Sequence, residues 1–239
     1  MWFRQIAALS RRFRVIAPDN PVFGLSSQPA YPVPVYDITS GYLLSFMDAL
    51  GIEKASLAGL SMGGFAAASL AVEAPHRTDR LVLINSAGFG RDLPWGFRLT
   101  SLPGLGHLLS RPNRWAHQRF FVTNEVFNAD GPDNQAYLEY AYLVTTNTGH
   151  AEAVRRNMPA FAGLRGQRLQ LLDDELLSIR ARTLVIWGKD DRFFPLSHAR
   201  RAEQLIPQAR LEVLQDCGHI AMLDQPDAVS GLISGFLEH

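Results

Sequence analysis

The stretch AGLSMGGFAAASLA, residues 58–71, constrains this chain more than any other. An apolar run, ASLAGL, ends at Leu60 and reads as a strand, and an alanine-rich run opens at Met62 and reads as a helix. Between them stands Ser61, with Gly59 and Gly63 two positions to either side. A strand that becomes a helix over one residue strains that residue and lifts its side chain clear of the backbone. Large side chains two positions away would collide at such a corner, so glycine is expected at both. The helix that follows aims free N–H groups and its positive dipole end at the serine, which suits a developing oxyanion. G-x-S-x-G also arises by chance in glycine-serine turns, so partners for the hydroxyl must decide between chemistry and a plain corner.

Strand and helix alternate through much of the chain. FRVIAPD (13–19) is apolar and β-branched, stops at a proline, and reads as a buried strand after a helix in WFRQIAALSRR. Ile38, Tyr42, Leu43, Phe46, Met47 and Leu50 share one helical face, and Gly51 follows where a helix end favours a left-handed residue. RLVLINS (80–86), RTLVIWG (182–188) and ARLEVLQ (209–215) are further compact strands separated by helical pattern. This alternation predicts a largely parallel sheet covered on both faces. Between Phe89 and about Leu177 the rhythm breaks, with LPGLG, RPN and ADGPDN as turn signals among short aromatic-rich helical pieces. An inserted helical cap over the strand ends is expected there, dividing the chain into core (1–88), cap (89–177) and core (178–239).

At 239 residues the chain is long enough for one large α/β domain with an insertion. Its 23 Lys plus Arg balance 23 Asp plus Glu, so no net field draws it to nucleic acid or an anionic membrane, and a neutral small-molecule substrate is expected. The single cysteine, Cys217, can form no internal disulfide and no cysteine-rich metal cluster, which fits a reducing cytoplasm. The sequence has no apolar run of membrane-spanning length and no N-terminal secretion signal.

A serine hydroxyl needs a base, most often a histidine oriented by a buried carboxylate. In open α/β sheets such groups lie on loops at the C-terminal ends of the strands. WGKDDRFFP follows the strand ending at Trp187 and offers Asp190 and Asp191; DCGHIAML follows the strand ending near Gln215 and offers His219. Each alone reads as a solvated turn or as packing. Their joint placement after successive strands, in the order Ser, Asp, His, favours chemistry. His76, His107, His117, His150, His198 and His239 follow no core strand.

PDNPVFGLSSQP, GLSMGG, LVIWGKDDRFFP and CGH together make the chain resemble the α/β-hydrolase superfamily over almost its whole length. The resemblance implies a mostly parallel sheet flanked by helices, with Ser61 as nucleophile, His219 as general base and then acid, and Asp191 as orienter while Asp190 faces outward. It also implies the Met62 N–H as one oxyanion donor, and no metal or organic cofactor. SMGG with WGKDDRFFPL and CGH is similar to hydrolases that cleave carbon–carbon bonds in ring-fission products of aromatic catabolism, and to related esterases. That subgroup tends to carry tryptophan after the histidine and an arginine in the cap; here Ile220 follows His219, and NQAYLEYAYL has no arginine.

Family members also place two or three strands and a His-Gly loop, the second oxyanion donor, before the helix at this N-terminus. No His-Gly precedes Ser61, and Val22 stands in PVFG where glycine is usual. An N-terminally truncated α/β-hydrolase fold is therefore expected, with a longer natural reading frame. Losing one oxyanion donor would cost about 10²- to 10³-fold in turnover. Three functions stay open: hydrolysis of small apolar carboxylic esters, carbon–carbon hydrolysis, and an impaired or non-enzymatic hydrolase-like domain. A homodimer is compatible with each.

Most of Trp95, Phe97, Trp115, Phe120, Phe121, Phe127, Tyr137, Tyr140, Tyr142 and Phe161 are expected to form the cap's own core. Phe194, near Asp191, and Ile220, beside His219, are better placed to line a substrate pocket. Arg155, Arg156 and Arg192 are the candidates for holding an anionic group, against a plain reading as solvent-facing charge.

Overall fold

The computed structural model describes residues 1–28, 32–102, 104, 113–127, 132–146 and 149–238. Strands β1 (Ala55–Leu60), β2 (Thr78–Ile84), β5 (Arg182–Gly188) and β6 (Ala209–Leu214) form one parallel sheet in the order β1-β2-β5-β6. Leu60 pairs with Ile84, Ile84 with Ile186 and Ile186 with Glu212, so the strands run in step and their following loops leave by one edge. Side chains alternate between faces with the strand period of two. Leu81, Leu83, Val185 and Trp187 pack on one side, and Val82, Ile84, Leu184 and Ile186 on the other, each set within its own apolar cluster. Each large side chain so buried contributes roughly 1.5–3 kcal/mol, which is why these pure β-branched and leucine runs hold the centre of the sheet.

Helices α1 (Phe3–Leu9), α2 (Ser40–Ala49) and α3 (Met62–Glu73) precede or follow β1, and α2 ends at Gly51 with φ 65°, the left-handed terminus its sequence calls for. Helix α3 packs against β1, β2 and α2. It can approach closely because Ala66, Ala67, Ala68 and Ala71 face the interior with only a methyl group each.

The expected buried strand at 13–19 is not present. Residues 14–20 have no regular structure, and Arg14, Ile16, Ala17 and Asp19 are exposed. An extended run becomes a strand only where a neighbour's N–H and C=O groups meet its own, and among the described residues no strand lies beside it. Nearby, Val22 is fully buried at φ 79°, so the turn keeps the left-handed conformation a glycine would adopt freely. The strain of about 1–3 kcal/mol is offset by burial of the isopropyl group.

Between β2 and β5 the chain forms α4 (Trp95–Thr100), α5 (Arg114–Phe120) running into a π-helical turn (Phe121–Glu125), α6 (Pro132–Thr146) and α7 (His150–Phe161). A two-stranded antiparallel hairpin, β3 (Ala162–Gly163) with β4 (Gly166–Gln167), and α8 (Asp173–Ser178) follow. Most of the LPGLG and RPN turn signals and the first three residues of ADGPDN lie outside the described residues. The aromatic core expected here is only partial. Phe121 and Phe161 are buried, but Trp95, Trp115, Phe127 and Tyr140 are exposed. Helices α9 (Leu196–Leu205), α10 (Ala221–Asp224) and α11 (Pro226–Glu238) complete the described chain. Among the described residues no helix is long and apolar enough to cross a membrane.

Candidate active site

Ser61 is the single residue between β1 and α3, at φ 53° and ψ −118°. For a residue with a side chain this is a strained conformation, the kind that persists only where surrounding contacts impose it. Those contacts are backbone hydrogen bonds: Ser61 N–H donates to the Ile84 carbonyl at 3.0 Å, and the Ser61 carbonyl accepts from Ala87 at 3.0 Å and Phe65 at 3.1 Å. A Cβ on Gly59 would sit 2.2 Å from the Gly63 carbonyl oxygen, so glycine there is obligatory. Gly63 differs from expectation: a Cβ on it would meet nothing within 4 Å. The crowded position is Gly64, where a Cβ would lie 2.3 Å from Ser86 Oγ. Gly59→Ala is therefore expected to destabilise the fold by about 1–3 kcal/mol or more through overpacking, with Gly63→Ala close to neutral. Equal chemical-denaturation midpoints for the two variants would contradict this packing.

Asp191 and His219, on the loops after β5 and β6, meet directly: His219 Nδ1 lies 3.0 Å from Asp191 Oδ2, with side chains 8% and 1% exposed. The second carboxylate oxygen accepts the backbone N–H groups of Phe193 at 2.7 Å and Phe194 at 3.1 Å. Those bonds fix the carboxylate plane and leave Oδ2 for the histidine. Asp190 is exposed, which is the outward orientation the family resemblance implies.

Sequence reasoning missed the residue that knits these loops together. Asn85 follows β2 at φ 40° and is fully buried. Its Nδ2 donates to Asp191 Oδ2 at 2.6 Å and to the Gly218 carbonyl at 3.4 Å, and its Oδ1 accepts from Gly188 N–H at 3.2 Å. Ile84 and Ala87, on either side of it, hold the Ser61 backbone. One amide thus bridges the loops of Asp191 and His219, while its own segment clasps the serine. The only sequence signal was a polar side chain closing an apolar strand, INS, which is also what an ordinary strand end looks like.

Ser61 Oγ makes no hydrogen bond among the described residues, so the structure joins Asp191 to His219 but does not bond His219 to the serine. Unliganded nucleophile–base contacts are often long and tighten only with substrate. Met62 is the first residue of α3, and its N–H has no intrahelical partner.

A family model described as the alpha/beta hydrolase fold matches residues 1–226. The chain belongs to the α/β-hydrolase family. Among curated relatives of this α/β-hydrolase, a 2-hydroxy-6-oxo-2,4-heptadienoate hydrolase of Pseudomonas putida is 31% identical over 99% of the chain and 82% of its own length. Among solved structures, the 2-hydroxy-6-oxo-6-phenylhexa-2,4-dienoate hydrolase of Rhodococcus sp. strain RHA1 superposes with a TM-score of 0.86 at 26% identity, covering 100% of this chain and 84% of that one. A serine hydrolase of the polyaromatic-hydrocarbon-degrading bacterium Cycloclasticus zankles gives 0.85 at 26% identity, with 99% and 83% covered.

In this α/β-hydrolase the His219 ring is walled by two phenylalanines. Phe193, which the sequence did not single out, lies 4.6 Å from it centroid to centroid, and Phe194 meets it edge-on at 5.2 Å. Ile220 is buried in the apolar cluster that also contains Leu60, Phe121 and Val126. A second pair, His198 Nε2 to Asp92 Oδ2 at 2.9 Å, lies behind Phe194, which stacks on His198 at 5.9 Å. Desolvation lowers the His198 pKa despite the aspartate. Cys217 is no rival nucleophile: burial pushes its thiol well up, so thiolate is scarce at neutral pH.

Proposed function

We propose that the chain is a serine hydrolase that cleaves carboxylic esters of small apolar substrates through an acyl-enzyme, with Ser61, His219 and Asp191 as its catalytic residues. The observation that carries this reading is the buried Asp191–His219 contact tied through Asn85 to the segment that holds Ser61. Ser61 Oγ attacks the ester carbonyl while His219 Nε2 takes the hydroxyl proton, and the oxyanion accepts from the Met62 N–H. His219 returns that proton to the leaving alcohol, and water repeats the cycle to release the acid and restore the serine. Asp191 holds Nδ1 protonated, so that Nε2 is free to accept. Phe194 and Ile220 are the proposed substrate contacts, residues 89–177 the proposed cap, and residues 1–88 with 178–239 the core. The free, buried Cys217 supports a reducing cytoplasm as the compartment.

A second reading, carbon–carbon hydrolysis of a ring-fission product by the same triad, is favoured by the Pseudomonas putida relative, a 2-hydroxy-6-oxo-2,4-heptadienoate hydrolase. Short-chain nitrophenyl esters are expected to release nitrophenolate, and a fluorophosphonate probe to label Ser61. A ring-fission dienoate turned over with higher kcat/KM than any ester would install the second reading, and an unlabelled, inactive protein would overturn both.

A further inference from the structure

The hydrolytic steps leave the side chain of Asn85 unused, although it is fully buried among the groups they employ. Its backbone still pairs in the sheet, with Asn85 N–H on the Ile186 carbonyl at 3.0 Å. Its φ of 40° lies in the left-handed region, which asparagine enters more readily than most residues. The amide is fixed in one orientation by its surroundings: Gly188 N–H needs an acceptor and meets Oδ1 at 3.2 Å, while the Asp191 carboxylate needs a donor and meets Nδ2 at 2.6 Å. Turned over, it would set donor against donor at Gly188 and acceptor against acceptor at Asp191.

Asp191 Oδ2 accepts from both Asn85 Nδ2 and His219 Nδ1, and the other oxygen accepts from the Phe193 and Phe194 N–H groups. The two backbone bonds fix the carboxylate plane, and the amide keeps Oδ2 from swinging away from the imidazole. The same segment holds the nucleophile, since Ser61 N–H donates to the Ile84 carbonyl and the Ser61 carbonyl accepts from Ala87 N–H, each at 3.0 Å. Residues 84–87 therefore grip the serine by main chain and the aspartate by side chain. Asparagine alone meets both demands at this reach: an ionised aspartate has no donor, leucine offers neither group, and glutamine is a methylene too long.

We propose that Asn85 is a positioning residue: acting through Asp191, it holds the His219 imidazole in register with the Ser61 hydroxyl. This rests on the serine-hydrolase reading of the same site. Because Asn85 is fully buried, no substrate atom reaches it, and its influence passes through Asp191 and His219 into kcat, with KM left nearly alone. The titratable groups around the amide are Asp191, His219, the Cys217 thiol next to Gly218, His198 from α9 behind Phe194, and Asp190 at the surface. Burial keeps the thiol protonated and disfavours the charged form of His198. The two cations of the Asp191 loop are engaged elsewhere, Lys189 with Gln215 Oε1 and Arg192 with the Thr123 carbonyl. The amide is thus the donor that shares Asp191 Oδ2 with the histidine.

Asn85→Asp tests this while keeping the shape, since one carboxylate oxygen can still accept from Gly188 N–H. It sets two carboxyl groups in hydrogen-bond contact, and such a buried pair cannot be ionised at both members. While the pair keeps a proton, an O–H replaces the amide donor and the histidine stays in place. Once pH rises past the point where that proton leaves, the carboxylates repel and the support is lost. Over a series from about pH 5.5 to about 9.5, kcat/KM of the variant on 4-nitrophenyl butyrate is expected to fall about tenfold per pH unit on the alkaline side, where the wild type stays level. Asn85→Ala is expected to lower kcat about 10²-fold, the cost of ångström-scale misplacement, with KM within about twofold. In an Asp191→Ala background the same change is expected to cost no more than about twofold, because the residue it acts through is gone. Thermal melts separate the folded fraction from the rate, and if Asn85→Ala fails to fold, the Asn85→Asp profile decides alone. Parallel pH profiles for wild type and Asn85→Asp, or an Asn85→Ala loss undiminished in the Asp191→Ala background, overturn the proposal, since an amide that only ties loops together would give them. A wild type that turns over neither ester nor ring-fission dienoate and takes no fluorophosphonate label sinks the serine-hydrolase reading and this proposal with it; an active wild type with parallel profiles sinks this one alone.

Discussion

Ser61→Ala is expected to lower kcat on a short-chain nitrophenyl ester by about 10⁴-fold or more, with thermal stability nearly unchanged. The hydroxyl makes no hydrogen bond among the described residues, so its removal leaves no buried partner unsatisfied. The backbone that strains position 61 is held by Ile84, Ala87 and Phe65 through main-chain groups that alanine retains. A large catalytic loss with an intact fold is the signature of a nucleophile, as opposed to a structural serine at a tight turn. Steady-state kinetics beside a thermal melt check it; residual activity above about a tenth of wild type would place the chemistry elsewhere.

Asp191→Asn is expected to cost about 10⁴-fold in kcat and, unlike the serine change, some stability as well. The carboxylate accepts four hydrogen bonds: His219 Nδ1 at 3.0 Å and Asn85 Nδ2 at 2.6 Å on one oxygen, Phe193 and Phe194 N–H at 2.7 and 3.1 Å on the other. An amide in its place must aim an NH₂ group at one of these pairs. Facing the two backbone N–H groups, it sets donor against donor. Facing His219, it opposes Asn85 and requires the tautomer with Nδ1 bare and Nε2 protonated, which cannot take a proton from Ser61. Either orientation fails, and a stability loss of about 1–3 kcal/mol accompanies the catalytic one. Activity falling less than tenfold, measured at pH 8, would remove Asp191 from its proposed role.

Residues whose role depends on local geometry were readable before any coordinates. Gly51 ends α2 in the left-handed conformation, Gly59 faces the Gly63 carbonyl, and the four strands of the main sheet fall on the apolar runs read from the chain. The errors lie where a neighbour from elsewhere sets the outcome. FRVIAPD has the composition of a strand but no described strand pairs with it, and Gly63 fits the motif although its surroundings leave a methyl group unopposed. Asn85 escaped notice because an asparagine after a strand is ordinary, and only the distances to Asp191, Gly188 and Gly218 distinguish it.

What the chain of letters determined by itself was the alternation of strands with helices, the strained corner at Ser61, and the order in which serine, aspartate and histidine follow three strands of the sheet. These are set by steric rules and hydrophobic period acting over a few residues. Only the tertiary structure decided which oxygen of Asp191 meets His219, that Asn85 ties three loops together, and that the Glu125 carbonyl takes the Ile220 N–H next to His219. The reason is physical: hydrogen bonds act over about 3 Å and unbalanced charge matters only where water has been displaced. Segments as far apart as 85, 125, 191 and 219 reach that range only once the sheet has brought their loops to one edge.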